Sequence, residues 1–213
     1  MPHATLMFSS LISKLGTLKP CVLCESASVK NKLSLCIDCW EYLKVEPFHI
    51  IKQDISILAT TRYQYPINKL IQKFKYNHQL QYLKLFSDLL DQLTIPNVQA
   101  IVAMPISITR LHDRGYNQAQ LLAKIIAKKH RLPLWEPIER IKEHSQKGQS
   151  RTERLTNNIQ QQFRIKDKQG IKYRRVLIVD DVVTTGSSIQ ALKLRLEQIG
   201  CKHIHVICIA AVE

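Results

Sequence analysis

A chain of 213 residues with 45% hydrophobic and 23% charged residues can build one good core plus a small module, in the ordinary range for a soluble globular protein. The formal net charge of +14 is not ordinary, and it points to a polyanionic partner or an anionic substrate. No apolar run is long enough to span a bilayer, and the mildly apolar stretch Ala4 to Leu18 lacks the basic start of a signal peptide, so a short helix and a cytoplasmic location are expected.

Four of the six cysteines come next, as Cys21 and Cys24, then Cys36 and Cys39. Two C-x-x-C pairs separated by 11 residues read as two knuckles, each offering two thiolates to one zinc ion. Four protein ligands close the tetrahedron, so the expected site is structural. Cys201 and Cys208 read as buried small apolar residues. Trp40, Tyr42, Leu43, Val45 and Phe48 follow the second knuckle, and the module is expected to end near Lys52 to Ile55.

Ile55 to Tyr63 reads as a strand, and Pro66 to Phe74 as a helix opening on proline. Lys73, Lys75, Tyr76 and His78 close that helix. Cations beside an aromatic ring suit a nucleobase or a single strand. Leu80 to Leu93 reads as an amphipathic helix and Val98 to Ala103 as a short apolar strand. Met104, Pro105 and Ile106 form a turn at that strand's carboxyl end. The segment RLHDRGYNQ, from Arg110 to Gln118, places Arg110 and Arg114 before a helix running through Ala127. Paired guanidinium groups can neutralise a pyrophosphate. Leu132 to Ile138 reads as a further strand. From Arg140 to Arg175 there are 11 Lys or Arg against 3 Asp or Glu, so the charge is concentrated there.

Val176 to Ser188 reads VLIVDDVVTTGSS. Val176 to Val179 form a buried strand, and Asp180 and Asp181 follow at its end. The segment Ile189 to Ile199 reads as a helix. A helix N-terminus offers unpaired N–H groups and a partial positive charge to a phosphate. Gly186 permits close approach, and Thr184, Thr185, Ser187 and Ser188 add hydroxyl donors. Two carboxylates do not bind a phosphate. They suit hydrogen bonds from a diol, an indirect hold on a metal, or a developing cation. A phosphate beside a diol describes a ribose 5-phosphate. His203 to Ala210 reads as the last strand, and alternating strands and helices from Ile55 onward argue for an α/β parallel sheet flanked by helices.

VLIVDDVVTTGSS resembles the phosphoribosyl-pyrophosphate motif of type I phosphoribosyltransferases. The resemblance implies that Asp180 and Asp181 hold the ribose hydroxyls. It also implies that Thr184, Thr185, Gly186, Ser187 and Ser188 wrap the 5′-phosphate, and that Val182 and Val183 belong to the same ligand-binding run. The turn at Met104 and Pro105 resembles the pyrophosphate loop of those enzymes, with Arg110 and Arg114 beside it. Two cysteine pairs, then RLHDRGYNQ, then the phosphoribosyl motif, make a layout similar to the ComF family. Gln146, Arg151, Arg154 and Asn157 resemble that family's Q…R…N pattern, where phosphoribosyltransferases carry a loop that closes over the site.

The resemblance implies a zinc module at 1–53 and a type I phosphoribosyltransferase-like domain at 54–213. It further implies bound phosphoribosyl pyrophosphate with magnesium, and a role in natural transformation once single-stranded DNA enters the cytoplasm. Proteins of the competence machinery are then candidate partners. Lys73, Lys75, Tyr76, Lys147, Arg151 and Arg154 are the candidate nucleic-acid contacts. Two readings stay open. One is an enzyme transferring a ribosyl group to an unidentified base or nucleotide precursor; the other is a nucleic-acid-binding accessory factor.

Overall fold

The computed structural model describes residues 20–26, 34–141, 162–166 and 172–213. The chain divides into two compact units, Met1–Lys44 and Val45–Glu213. The division therefore falls ahead of the boundary expected near residue 53. The reason is hydrogen bonding: strand β1 (Phe48–Lys52) pairs antiparallel with β2 (Ile55–Arg62) and so belongs to the larger unit's sheet.

In the smaller unit, helix α1 (Ile37–Leu43) starts on Cys36, whose sulfur accepts a hydrogen bond from the backbone N–H of Cys39 at 3.5 Å. A sulfur thus serves as the helix cap that serine or aspartate usually supplies. Lys44, in the left-handed conformation, ends the helix.

The larger unit carries, in order after β2, α2 (Ile67–Tyr76), α3 (Tyr82–Leu90), β3 (Ala100–Ala103), α4 (Ile108–Arg114), α5 (Gln118–His130), β4 (Ile138–Arg140), β5 (Phe163–Ile165), β6 (Arg175–Val183), α6 (Ser187–Gln198) and β7 (His203–Ala211). Its main sheet has the order β1-β2-β7-β6-β3. β2, β7, β6 and β3 run parallel, while β1 is antiparallel. The sheet is therefore mixed and not wholly parallel as the sequence suggested. The two-residue turn at Gln53 and Asp54 allows only a hairpin, which fixes β1 antiparallel at the edge.

Val176, Leu177, Ile178 and Val179 are all buried, as a central strand covered on both faces requires. Val176 and Ile178 share a core with Ile189, Leu192 and Leu196 of α6. On α2, Ile67, Leu70, Ile71 and Phe74 are the buried stripe, and Phe74 packs on Phe86 of α3 with ring centroids 5.1 Å apart. Cys201 and Cys208 are buried free thiols, as expected.

Two local expectations change. The stretch Leu132 to Ile138 is not one strand: Leu134 makes a single bridge to Ile101, and pairing resumes only at Ile138 against β5. Pro133 and Pro137 lack the N–H groups a continuous ladder needs. The segment from Arg110 precedes a helix, as expected, but is itself helical. It belongs to the separate helix α4, which Ser107 caps by accepting from the Arg110 N–H at 3.3 Å and which Gly115 ends at φ 71°. The short ribbon β4-β5 forms a second sheet, joined to the loop after β3 by a bridge between Ser107 and Arg140.

Candidate functional site

β3 pairs with β6 only as far as Val179, whereas β6 continues to Val183 alongside β7. Asp180 and Asp181 therefore stand within β6, one step beyond the end of its shorter neighbour, and not after the strand as expected. The gap past β3 is a cleft of about 160 Å³. It lies at the carboxyl ends of parallel strands, where ligands enter open α/β sheets.

Asp180, Asp181, Val182 and Ser188 line it from β6 and α6, and Met104 and Pro105 from the loop after β3. Arg110 and Arg114 line it from α4. The structure thus brings together eight of the residues singled out from the sequence for the phosphoribosyl ligand. Five do not line the cleft. Val183 is buried in the core, Thr184 and Thr185 are exposed, and Gly186 and Ser187 form the entry to α6. Gly186 has φ 77°, and no side chain caps the helix. Its freedom is used to turn the chain from strand to helix.

Six cleft residues were not assigned to this site from the sequence: the apolar Ile106 and Ala119, and the polar Lys75, Asn117, Gln118 and Arg140. Lys75 Nζ lies 2.8 Å from Asp181 Oδ1, and both side chains are largely buried. Burial alone would lower the Lys75 pKa, but the charge and hydrogen bond of Asp181 outweigh it and raise it. Asp180 accepts the backbone N–H of Asp181 at 2.8 Å. Burial, and then the negative charge of Asp181, push its carboxyl up to about 7. Lys75 and Arg140 pull in the other direction. Asn117 caps α5 through Gln120 N–H at 3.4 Å and donates to the Met104 carbonyl at 3.0 Å, fixing the loop after β3. Arg140 holds its guanidinium 5.5 Å from the Phe163 ring centroid and donates to Gln162 at 2.9 Å.

Four cations and two carboxylates thus face one cleft. The net positive charge suits a polyanion, and the carboxylates suit hydroxyl donors or a developing cation. A second pocket adjoins the first across Pro105, Ile106, Asn117 and Arg140, and adds Leu111, Glu136, Ile138, Glu139 and Lys166.

Of the nucleic-acid candidates, Lys75 turns inward to Asp181. Tyr76 is 62% exposed and stacks under Arg114, 4.9 Å from its centroid. Lys73 is exposed. Lys147, Arg151 and Arg154 lie outside the described residues, as do Gln146 and Asn157.

In the smaller unit, the sulfurs of Cys21, Cys24, Cys36 and Cys39 all lie within 4.8 Å of one another. The Cys24 and Cys36 sulfurs are 3.7 Å apart. A tetrahedral zinc with bonds of 2.3 Å separates its sulfur ligands by about 3.8 Å. The Ser26 hydroxyl pushes the Cys24 thiol down to about 6, while burial and the other sulfurs push Cys39 up. Four crowded thiols cannot all ionise without a cation between them, and the donor set fits a structural zinc site.

Residues 114–213 match the phosphoribosyl transferase domain model. Competence protein F of Haemophilus influenzae is 29% identical over 218 residues, covering 87% of this chain and 94% of that protein. This chain is homologous to the ComF competence proteins. The ComFC proteins of Streptococcus pneumoniae and Bacillus subtilis are 27% and 23% identical, over 70% and 73% of this chain and 66% and 63% of their own lengths. Adenine phosphoribosyltransferase of Saccharomyces cerevisiae aligns over 79% of this chain and 86% of its own at 18% identity, with a TM-score of 0.31. The fold assignment rests instead on the strand order and the domain match. No helix among the described residues is long and apolar enough to cross a membrane.

Proposed function

We propose that the larger unit binds phosphoribosyl pyrophosphate with magnesium, and that the protein acts in natural transformation by handling incoming single-stranded DNA. One observation carries the ligand reading. The acidic pair Asp180 and Asp181 faces the cations Lys75, Arg110, Arg114 and Arg140 across a single cleft beside the start of α6. In this reading the carboxylates accept the ribose hydroxyls and the guanidinium groups take the pyrophosphate. Ser188 and the first N–H groups of α6 take the 5′-phosphate. Magnesium enters as the counter-ion of the pyrophosphate and neutralises part of its charge.

The cellular role is supported by the relatives' names, which include "Competence protein F", "Competence protein ComFC" and "DNA utilization protein YhgH". The net charge of +14 agrees with a phosphate-backbone partner.

The test is calorimetry of phosphoribosyl pyrophosphate, with and without magnesium, on wild type and Asp181→Asn. Wild type is expected to bind, and the variant to lose at least about tenfold in affinity. Equal affinity for both proteins would remove Asp181, and with it the site, from the proposal.

A second reading is favoured by the adjoining pocket lined by Glu136, Glu139 and Lys166. An acceptor bound there would face the ribose of the first ligand, and the protein would be a phosphoribosyltransferase of base or nucleotide salvage. Release of pyrophosphate from ligand incubated with candidate bases decides between binding and transfer.

A further inference from the structure

Lys75 and Tyr76 are consecutive residues at the last turn of α2, yet they hold groups of opposite charge. Lys75 takes the carboxylate of Asp181 at 2.8 Å. Tyr76 takes Arg114, stacked at 4.9 Å and hydrogen-bonded through the Tyr76 oxygen at 3.1 Å. Gln118 joins the two. Its Nε2 donates to the Lys75 carbonyl at 3.4 Å, and its Oε1 accepts from Arg114 at 3.5 Å. Gln118 is only 2% exposed, so these bonds are not exchanged freely with water. The α2 turn is itself anchored, because the Tyr116 hydroxyl donates to the Phe74 carbonyl and Phe74 is fully buried.

We propose that the Lys75-Tyr76 turn, locked by Gln118, is the positioning element that holds the acidic and basic halves of the cleft in register. Lys75 orients Asp181 for the diol half of the ligand. Tyr76 aims the Arg114 fork at the pyrophosphate half. Without them Asp181 would be a buried carboxylate stripped of its direct ion pair, and Arg114 would sample the rotamers of a long side chain. The assignment rests on the phosphoribosyl reading of the cleft. It turns two residues that the sequence suggested as nucleic-acid contacts into parts of the ligand site.

Two fragments of the ligand, inorganic pyrophosphate and ribose 5-phosphate, separate the halves. Tyr76→Ala is expected to weaken pyrophosphate binding about tenfold and to leave ribose 5-phosphate within about twofold. Tyr76→Phe keeps the ring and loses the hydroxyl, so its pyrophosphate affinity is expected to lie between alanine and wild type. Lys75→Met is expected to reverse the split, with ribose 5-phosphate the more weakened. Tyr76 is largely exposed, so its alanine variant is expected to keep the wild-type Tm.

A merely structural role would weaken both fragments by the same factor. That outcome, or pyrophosphate affinity unchanged in Tyr76→Ala, overturns the assignment. Wild type that binds neither fragment overturns the phosphoribosyl reading instead, so the two failures are distinguishable.

Discussion

Asp180 and Asp181 are neighbours with different partners, and that difference gives them different chemistry. Asp181 has Lys75 at 2.8 Å, while Asp180 accepts a backbone N–H at 2.8 Å within a site that already holds one negative charge. The folded protein raises the Asp180 pKa to about 7, above its value in an unfolded chain. A raised carboxyl pKa contributes stability that is fully present below the unfolded value and is lost as pH rises through 7. Asp180→Asn removes that loss. Its Tm is expected to exceed wild type by several degrees at pH 8.5, equivalent to about 2 kcal/mol, and to converge on wild type near pH 4. Thermal melts across that range check it, and a constant difference would mean that Asp180 does not titrate. Lys75 shows what the sequence held at this scale. Ile67, Leu70, Ile71 and Phe74 mark a helical stripe at i, i+3, i+4 and i+7, and Lys75 is its i+8. The period places a lysine on the inward face, which calls for a buried carboxylate. Arg140 had no such signal, because its position depends on a ribbon pairing with β5 that local sequence does not encode.

At the scale of elements, legibility followed how local the determinant was. The four cysteines fix their own geometry through two short knuckles, and β6 announces itself as an unbroken apolar run. Helix α4 was missed because its seven residues bury no apolar side chain, so no periodicity marks it. Its caps, Ser107 and Gly115, were the available signals. The antiparallel edge β1 was missed because its burial alternates but its hydropathy does not: Phe48 and Ile50 are half-buried, yet apolar Ile51 stands on the exposed face. The knuckles carry a direct expectation. Purified protein should hold one zinc per chain by elemental analysis, and Cys36→Ser should lose most of it. Cys36 serves twice, as a ligand candidate and as the cap of α1. Serine keeps the cap, so a reduced helical signal in the smaller unit would report the lost metal alone, since metal binding and folding are linked in such modules. Full zinc retention in Cys36→Ser would remove that cysteine from the ligand set.

Charge is a property of the whole chain, and +14 asks for a partner with many phosphates more than for one small ligand. Four cations in the cleft face two carboxylates, so the site uses little of the excess. Most of it lies elsewhere, with a local excess of 11 Lys or Arg over 3 Asp or Glu between Arg140 and Arg175. A cationic surface binds single strands by releasing their condensed counter-ions, so its affinity falls steeply as salt rises. Fluorescence anisotropy with labelled single strands is expected to show binding that ignores sequence and weakens at least about tenfold from 50 to 200 mM salt. Replacing Lys147, Arg151 and Arg154 together by glutamine should flatten that dependence by about two units of logarithmic slope, near 0.7 per phosphate contact. Phosphoribosyl pyrophosphate affinity is measured on the same variant. If DNA affinity falls and ligand affinity holds, the two partners use separate surfaces. If DNA binding is insensitive to salt in wild type, the charge serves another purpose and the strand-handling proposal fails.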